Sequence, residues 1–198
     1  MPDPHTPFSI RPYQDNDREA VIDLFTRINR ALAPPHMSEA FAAYVERSLA
    51  EEIGRIDQYY DTQRGRSFWV ATDGLRLLGH FGLEPAEDGA IEIRRMYVDF
   101  AFRRLGIARA MLAHAEVCAR QDGFERIVLS TSSLQRPALA LYQSAGYVLL
   151  REEIAQSASN RTVGNGILRF YLEKHLAPSD SLKKRHPGRV QLPPVHTK

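Results

Sequence analysis

Residues 90–108 read A-I-E-I-R-R-M-Y-V-D-F-A-F-R-R-L-G-I-A, and this stretch decides the fold of the chain. Its first half predicts a β-strand over residues 90–98, and its second half is a short basic turn that leads into a helix. The first backbone N–H groups of a helix have no intrahelical acceptor and carry partial positive charge. With Arg103 and Arg104 beside them, these groups predict an anion-binding site at the turn.

The composition predicts an ordinary globular protein. The chain has 198 residues, of which 43% are apolar and 25% are charged, and such values are typical of a single folded domain. The single cysteine, Cys118, excludes an intramolecular disulfide and fits a reducing compartment. No apolar run approaches the roughly 20 residues that a membrane span requires, and the N-terminus has no secretory pattern. We therefore expect a cytoplasmic protein without a membrane partner.

The two ends of the chain differ in charge. Residues 174–198 carry six Lys and Arg side chains against one acidic side chain. Proline content and poor apolar periodicity predict that residues 178–198 form a disordered or loosely docked tail after a domain at residues 1–177. Nucleic-acid binding through residues 183–185 is one interpretation of the tail, and a solubilising extension is the other. The composition favours the second, so we do not expect nucleic acid as a partner.

The apolar periodicity predicts a strand at residues 8–13, then two helices, of which the second keeps helical spacing from residue 38 to residue 56. A three-stranded meander follows at residues 67–72, 77–84 and 90–98. A helix, a short strand at residues 127–129 and a second helix at residues 135–145 come next. Two closing strands at residues 147–150 and 167–172 flank a polar segment. A strand, a helix and a further strand predict a parallel pair with a right-handed connection.

Three linked motifs carry a family resemblance. The strand sequence E-I-R-R-M-Y-V precedes R-x-x-G-x-A at residues 103–108, and A-x-x-L-Y-x-x-x-G-Y follows at residues 138–147. Their order and spacing resemble the GCN5-related N-acetyltransferase (GNAT) family, and the similarity extends over residues 8–174. The resemblance implies an α/β fold with a central mixed, mostly antiparallel sheet of about seven strands and about four flanking helices. It also implies a splayed central parallel pair, and it leaves a monomer and a homodimer open.

The resemblance implies an acetyl-CoA site and no metal. Family members hold the cofactor's diphosphate on the backbone amides of the turn, and Gly106 would let the backbone approach without a Cβ in the way. The pantetheine would bond to strand backbone at Met96 and Val98, where N–H groups could polarise the thioester carbonyl. The positions that would bind diphosphate are Arg103, Arg104, Gly106, Ile107, Ala108 and Arg109.

Two side chains are candidates for proton transfer under the same resemblance. Glu92 occupies a strand position where some family members place a general base, and the alternative is a structural carboxylate paired with Arg94 or a neighbouring strand. Tyr142 lies where the family commonly has a tyrosine that meets the cofactor sulfur, and the alternative is a core tyrosine. Gln135 stands where relatives often carry asparagine, so its contact with pantetheine reaches one methylene farther.

These features together predict an N-acetyltransferase that moves acetyl directly from acetyl-CoA to a primary amine in a ternary complex. The alternative is a non-catalytic acetyl-CoA or CoA sensor. A small-molecule amine and a peptide amine both remain open as acceptor. Acidic side chains of the N-terminal helices, including Glu51, Glu52 and Asp57, either attract a cationic amine or form a solvated helix face, and the pattern favours the solvated face.

Overall fold

A computed structural model describes residues 8–177, and these residues form one seven-stranded sheet. The strand order is β1-β2-β3-β4-β5-β7-β6, in which only β4 and β5 pair in parallel. This mixed, mostly antiparallel sheet with its central parallel pair confirms the fold class predicted from the sequence. The basic tail at residues 178–198, predicted to be disordered or loosely docked, lies outside the described residues. Within the described part, no helix has the length and apolarity that crossing a membrane would require.

Three helices follow the first strand, and a run of three strands comes before the fourth helix. The strands are β1 Ser9–Pro12, β2 Ser67–Thr72, β3 Leu77–Pro85, β4 Ile91–Val98, β5 Arg126–Ser132, β6 Val148–Ala155 and β7 Ile167–His175. The α-helices are α1 Arg18–Leu32, α2 Ser38–Glu51, the single turn α3 Ile56–Tyr59, α4 Ile107–Gln121 and α5 Arg136–Ser144.

The sheet separates two apolar cores. Successive side chains of a strand point to opposite faces, and β2 shows this division directly. Ala71 packs in a core with α4, whereas Phe68 and Val70 pack in a second core with α1 and α2. The α1/α2 face and the α4 face of the sheet are therefore chemically distinct surfaces, and both are covered by amphipathic helices.

The parallel pair opens after three residues. Ile91, Glu92 and Ile93 pair with β5, whereas the rest of β4 pairs only with β3. Between the pairs Gly82↔Arg94 and His80↔Tyr97, β4 has one residue more than β3. Arg95 lies at this β-bulge with φ of 52°, and a bulge bends its strand and increases the local twist. The gap between β4 and β5 begins at the bulge.

Several element boundaries differ from the sequence prediction, and strands β5 and β7 extend beyond the predicted residues 127–129 and 167–172. The second helix ends at Glu51 rather than near residue 56, because Glu52 leaves the helical conformation with φ of −142°. Strand β6 extends to Ala155, so the first five residues of the polar segment predicted at residues 151–166 are strand. Seven of the eight residues of β6 are exposed. The backbone hydrogen bonds of an edge strand do not require buried apolar side chains, so the polarity of residues 151–155 did not reveal the strand.

His80 lies inside the core on the α1/α2 side. Its imidazole is fully buried, stacks on Phe68 with ring centroids 5.3 Å apart and contacts the Tyr97 ring. Burial lowers its pKa from 6.5 to about 3, because the charged imidazolium would lose its hydration. The folded protein therefore keeps His80 neutral.

We predict that His80 makes folding sensitive to acid. Its pKa is lower in the folded state, so its contribution is complete above about pH 6.5 and is lost as the pH falls toward 3. When the pH falls from 7 to 4, the unfolding free energy of the parent should decrease by about 3 kcal/mol more than that of His80→Phe. Urea denaturation at each pH measures this, and the exposed His36 provides the control His36→Gln. Equal pH dependence in parent and His80→Phe would disprove the assignment.

Candidate functional site

A cavity lies at the opening between β4 and β5. Its walls come from the bulge of β4, the end of β5, the start of α5 and the loop between β6 and β7. Four of the candidate residues from the sequence line it, namely Glu92, Met96, Gln135 and Tyr142. The gap therefore brings together residues from three parts of the chain that are far apart in sequence.

The basic turn at residues 103–106 leads directly into α4. The first i→i−4 bond of this helix runs from the Ala110 N–H to the Gly106 carbonyl at 3.0 Å, so the N–H groups of Ile107, Ala108 and Arg109 precede the hydrogen-bond ladder. Gly106 has φ of +80°, and no heavy atom lies within 4 Å of the place where a Cβ would stand. Free N–H groups at a helix start beside an open approach form a site suited to anions.

Arginine side chains surround this turn without filling it. Arg103 and Arg104 are exposed, and the Arg103 guanidinium lies 4.0 Å from the Phe100 ring centre. Arg109 Nη2 donates to Ser144 Oγ of α5 at 3.3 Å. Val98 and residues 103–109 are not part of the cavity wall, because they continue along β4 and into α4 beyond the bulge. The anion site therefore lies outside the cavity, beyond the end of the strand β4 that forms part of the cavity wall.

Glu92 faces the cavity as one partner of an ion pair. It pairs with Arg161, whose Nη2 also reaches Glu84 Oε1 at 2.5 Å. Arg161 belongs to the loop between β6 and β7, so the partner is neither Arg94 nor a residue of a neighbouring strand. The pair with Arg161 orients the Glu92 carboxylate at the cavity wall.

Tyr142 projects from α5 into the same cavity. Its side chain is buried, and burial raises the pKa of its phenol from 10.0 to about 12. The hydroxyl therefore keeps its proton at neutral pH and remains a hydrogen-bond donor. Gln135 lies one turn before this helix, where its Oε1 accepts from Thr131 Oγ1 at 3.4 Å.

Glu52 is buried, contrary to the prediction that the acidic side chains of the N-terminal helices form a solvated face. Its Oε2 accepts from Arg94 Nη2 and from Arg95 Nη2, each at 2.7 Å, and its Oε1 accepts from Tyr60. Burial alone would raise its pKa, but the charges of Arg95 and Arg94 outweigh burial and hold the pKa below its usual range. Because α2 ends at Glu51, Glu52 turns inward, whereas Glu51 and Asp57 are exposed as expected.

Sequence reasoning missed four arginines at the cavity, namely Arg94, Arg95, Arg161 and Arg169. Arg95 also donates to Tyr44 and to the Asn160 carbonyl, each at 2.6 Å. The available signal was the pair of consecutive arginines within an otherwise apolar strand, since buried arginines need partners. Those partners come from α2, β3 and a distant loop, and a single sequence does not identify them.

No group of three or more His, Cys, Asp or Glu side chains that could hold a metal occurs among residues 8–177. The single cysteine of the chain, Cys118, lies buried on the inner face of α4. Burial raises the pKa of its thiol from 9.0 to about 11, so this thiol stays protonated at neutral pH and is a weak nucleophile.

Comparison with known proteins places this site in a family context. The acetyltransferase (GNAT) family matches residues 20–147 of the chain. Human N-acetyltransferase 8 is 34% identical over 109 residues, which cover 52% of this chain and 48% of that protein. N-acetylaspartate synthetase of Xenopus tropicalis is 34% identical over 105 residues, covering 52% of this chain and 39% of that protein. The chain thus matches less than half the length of these curated relatives.

The fold has solved counterparts as well. A Salmonella typhimurium protein solved with acetyl-CoA has a TM-score of 0.61 and 16% identity, and the match covers 87% of this chain and 96% of that one. At this identity the likeness supports the fold alone. The sheet order and the opened parallel pair of this chain are therefore an arrangement also found in solved proteins.

We predict that Glu52 is the main electrostatic support of the cavity. Glu52→Gln would leave Arg94 and Arg95 buried without their shared carboxylate, so it should lower the unfolding free energy by about 3–5 kcal/mol. Glu51→Gln is the matched control, because Glu51 is the preceding residue and its side chain is exposed. Its effect on the unfolding free energy should stay within about 0.5 kcal/mol. Urea denaturation of both variants measures the difference. Similar losses in the two variants would contradict this role.

Proposed function

This chain belongs to the acetyltransferase (GNAT) family, and on that premise we propose that it transfers an acetyl group from acetyl-CoA to a primary amine. The transfer is direct, within a ternary complex. The observation that carries this proposal is that β4 forms part of a cavity lined by Tyr142 and Glu92 and is followed by a helix start suited to anions. When bound, acetyl-CoA supplies an activated thioester.

This site fits the parts of acetyl-CoA one by one. N–H groups at the start of α4, the open side of Gly106 and exposed Arg103 and Arg104 suit the diphosphate. Beyond Ile93 the edge of β4 that faces β5 is free of strand pairing, so backbone groups near Met96 and Val98 suit the amides of pantetheine. Gln135 offers an amide at the opposite wall.

Tyr142 and Glu92 take complementary roles in this proposal. The Tyr142 hydroxyl, which retains its proton because burial raises its pKa to about 12, donates to the departing thiolate. Glu92, oriented by its pair with Arg161, accepts the proton of the attacking amine, directly or through water. An amine with an ordinary pKa of about 10 must lose that proton before it can attack.

Direct transfer is supported by the state of the only cysteine. An acetyl-enzyme route would need a nucleophile at the cavity, and the Cys118 thiol is buried in α4, away from the cavity wall, with its pKa raised to about 11. The lone cysteine also supports our proposal that the protein works in a reducing compartment such as the cytoplasm.

The placement of Tyr142 and Glu92 favours an enzyme over a sensor that only binds CoA. A binding module needs the anion site and the strand backbone, but it does not need a protonated phenol and a carboxylate at one cavity. The names of the relatives also support an enzyme that acetylates an amine. One of these relatives is named for the synthesis of N-acetylaspartate, the acetylated form of a small amine.

We predict that acetyl-CoA stabilises the protein through the turn at Gly106. A ligand at 100 times its Kd adds about 2.7 kcal/mol to the unfolding free energy, so the melting temperature should rise. Gly106→Ala should largely abolish this rise, because the new Cβ enters the anion site. Gly123→Ala is the matched control at the other end of α4, with φ of +84° and nothing within 4 Å of its Cβ position. The absence of any shift in the parent at millimolar acetyl-CoA would refute the cofactor assignment.

We predict separate kinetic effects for the two proposed proton-transfer residues. Tyr142→Phe should lower kcat by about 10²-fold, a typical value for loss of a general acid, with little change in acetyl-CoA affinity. Glu92→Gln should also lower kcat by about 10²-fold, because an amide cannot accept the proton of the attacking amine. Thiol release over a panel of amines measures both variants.

Tyr147→Phe serves as the control for Tyr142. Tyr147 is also buried, and its ring centre lies 6.0 Å from that of Tyr142, but it does not line the cavity. A Tyr142→Phe or Glu92→Gln variant as active as the parent would remove that residue from the mechanism. Absence of thiol release with every amine, despite acetyl-CoA binding, would favour the sensor.

A further inference from the structure

We propose that the acceptor amine carries a carboxylate and that Arg169 binds it. The acceptor would then be an amino acid or a conjugate that retains the free carboxylate of its amino acid. This inference rests on the proposed function, because it names the substrate class of the same cavity. It starts from a buried guanidinium whose charge is not matched by the protein.

Arg169 extends from β7 into the cavity wall and is 8% exposed. Its Nη1 donates to the Arg161 carbonyl and its Nη2 donates to Ser130 Oγ, so both acceptors are neutral. Its buried Nε has no hydrogen-bond acceptor in the part of the chain that the structure describes. A charge buried without a counter-ion is costly, and a bound anion removes that cost.

The other charged groups around the cavity are already matched to one another. Glu52 pairs with Arg94 and Arg95, and Glu84 pairs with Arg94 and Arg161. Glu92 completes the set through Arg161. These three carboxylates serve the three guanidinium groups of Arg94, Arg95 and Arg161, and Glu84 also lies 3.7 Å from Arg66 Nε. Arg169 pairs with no carboxylate within residues 8–177.

The position of Arg169 suits an acceptor of amino-acid size. Glu92 is the register partner of Val128 on β5, and Ser130 lies two residues farther on the same strand. Side chains two residues apart point to the same face, about 7 Å apart along the strand. Arg169 contacts Ser130. The proposed carboxylate site at Arg169 and the proposed base Glu92 therefore lie on the same face of the sheet, one two-residue repeat of β5 apart. A molecule with its amine near Glu92 can place a nearby carboxylate at Arg169.

The chemistry of the site favours a carboxylate over the cofactor's own phosphates. The anion site for diphosphate lies at the start of α4, outside the cavity wall. A planar guanidinium matches the two oxygens of one carboxylate in geometry, and a single unmatched positive charge corresponds to one negative charge. The same excess of positive charge disfavours acceptors that are only cationic, such as polyamines.

The first test compares acceptors in matched pairs on the unmodified protein. Glycine with glycinamide, alanine with alaninamide and serine with serinamide each form a pair in which only the acid carries a carboxylate and both members carry the same primary α-amine. We expect kcat/KM for each acid to exceed that for its amide by about 10- to 100-fold, the range for one hydrogen-bonded charge. High salt should reduce this preference. Equal or faster acetylation of the amides would overturn the inference and leave the proposed function intact.

The second test changes the protein. Arg169→Gln should raise KM for the acids by about 10- to 100-fold with a smaller effect on kcat, and it should leave KM for the amides unchanged. Arg169→Lys, which keeps the charge, should restore part of the preference for acids. Arg151→Gln is the control, since Arg151 is an exposed arginine on the adjacent strand β6, and it should leave the preference unchanged. An equal rise of KM for acids and amides would assign Arg169 a structural role and overturn the inference.

Failure of the proposed function gives a different result. Without thiol release from any acceptor, calorimetric titration of the CoA-loaded protein with the same acids and amides decides the question. Binding of the acids that is weakened by Arg169→Gln but not by Arg151→Gln supports a carboxylate site even without catalysis. Equal binding of acids and amides, or no binding of acids, overturns it. Circular dichroism and the melting temperature establish that each variant is folded.

Discussion

The site depends on one buried carboxylate that binds two consecutive arginines of a strand. Neighbouring residues of a regular strand point to opposite faces, yet Arg94 and Arg95 both reach Glu52. The β-bulge at Arg95 makes this possible, because its positive φ and the extra residue bring both side chains to the α2 side. The same bulge bends β4 away from β5. The ion cluster and the gap between β4 and β5 therefore have one common geometric origin.

This arrangement divides binding and chemistry between backbone and side chains. The helix start at Ile107 and the unpaired edge of β4 offer N–H and carbonyl groups, which many sequences could supply. The cavity is lined by charged side chains from β4, β7 and the loop between β6 and β7. We propose that these side chains set the specificity for the acceptor, since their charges differ from one protein to another while the backbone geometry does not. The unmatched charge of Arg169 is the clearest example.

Much of the fold was predictable from the periodicity of apolar residues and from the positions of turn residues. The meander, the helix after the basic turn and the parallel pair follow from apolar spacing and from turn residues, and the membership of the GNAT family follows from three motifs in order. The errors arose where local pattern and tertiary contact disagree. Strand β6 is polar but paired, and Glu52 lies in a helical pattern but faces the interior. The pairing of an edge strand and the partners of a buried ion pair depend on residues distant in sequence, so a pattern over a few residues does not predict them.

The sequence alone located the basic turn before α4, because Arg103, Arg104 and Gly106 are adjacent in the chain, and we propose that this turn binds an anion through its backbone. It also identified Glu92, Met96, Gln135 and Tyr142, which line the cavity, while their roles stay proposals. Only the tertiary structure decided that Arg161 pairs with Glu92 and that Arg169 has no carboxylate partner within residues 8–177. The reason is physical. A charge is satisfied by groups that are near in space, and the partners of these arginines lie tens of residues away along the chain.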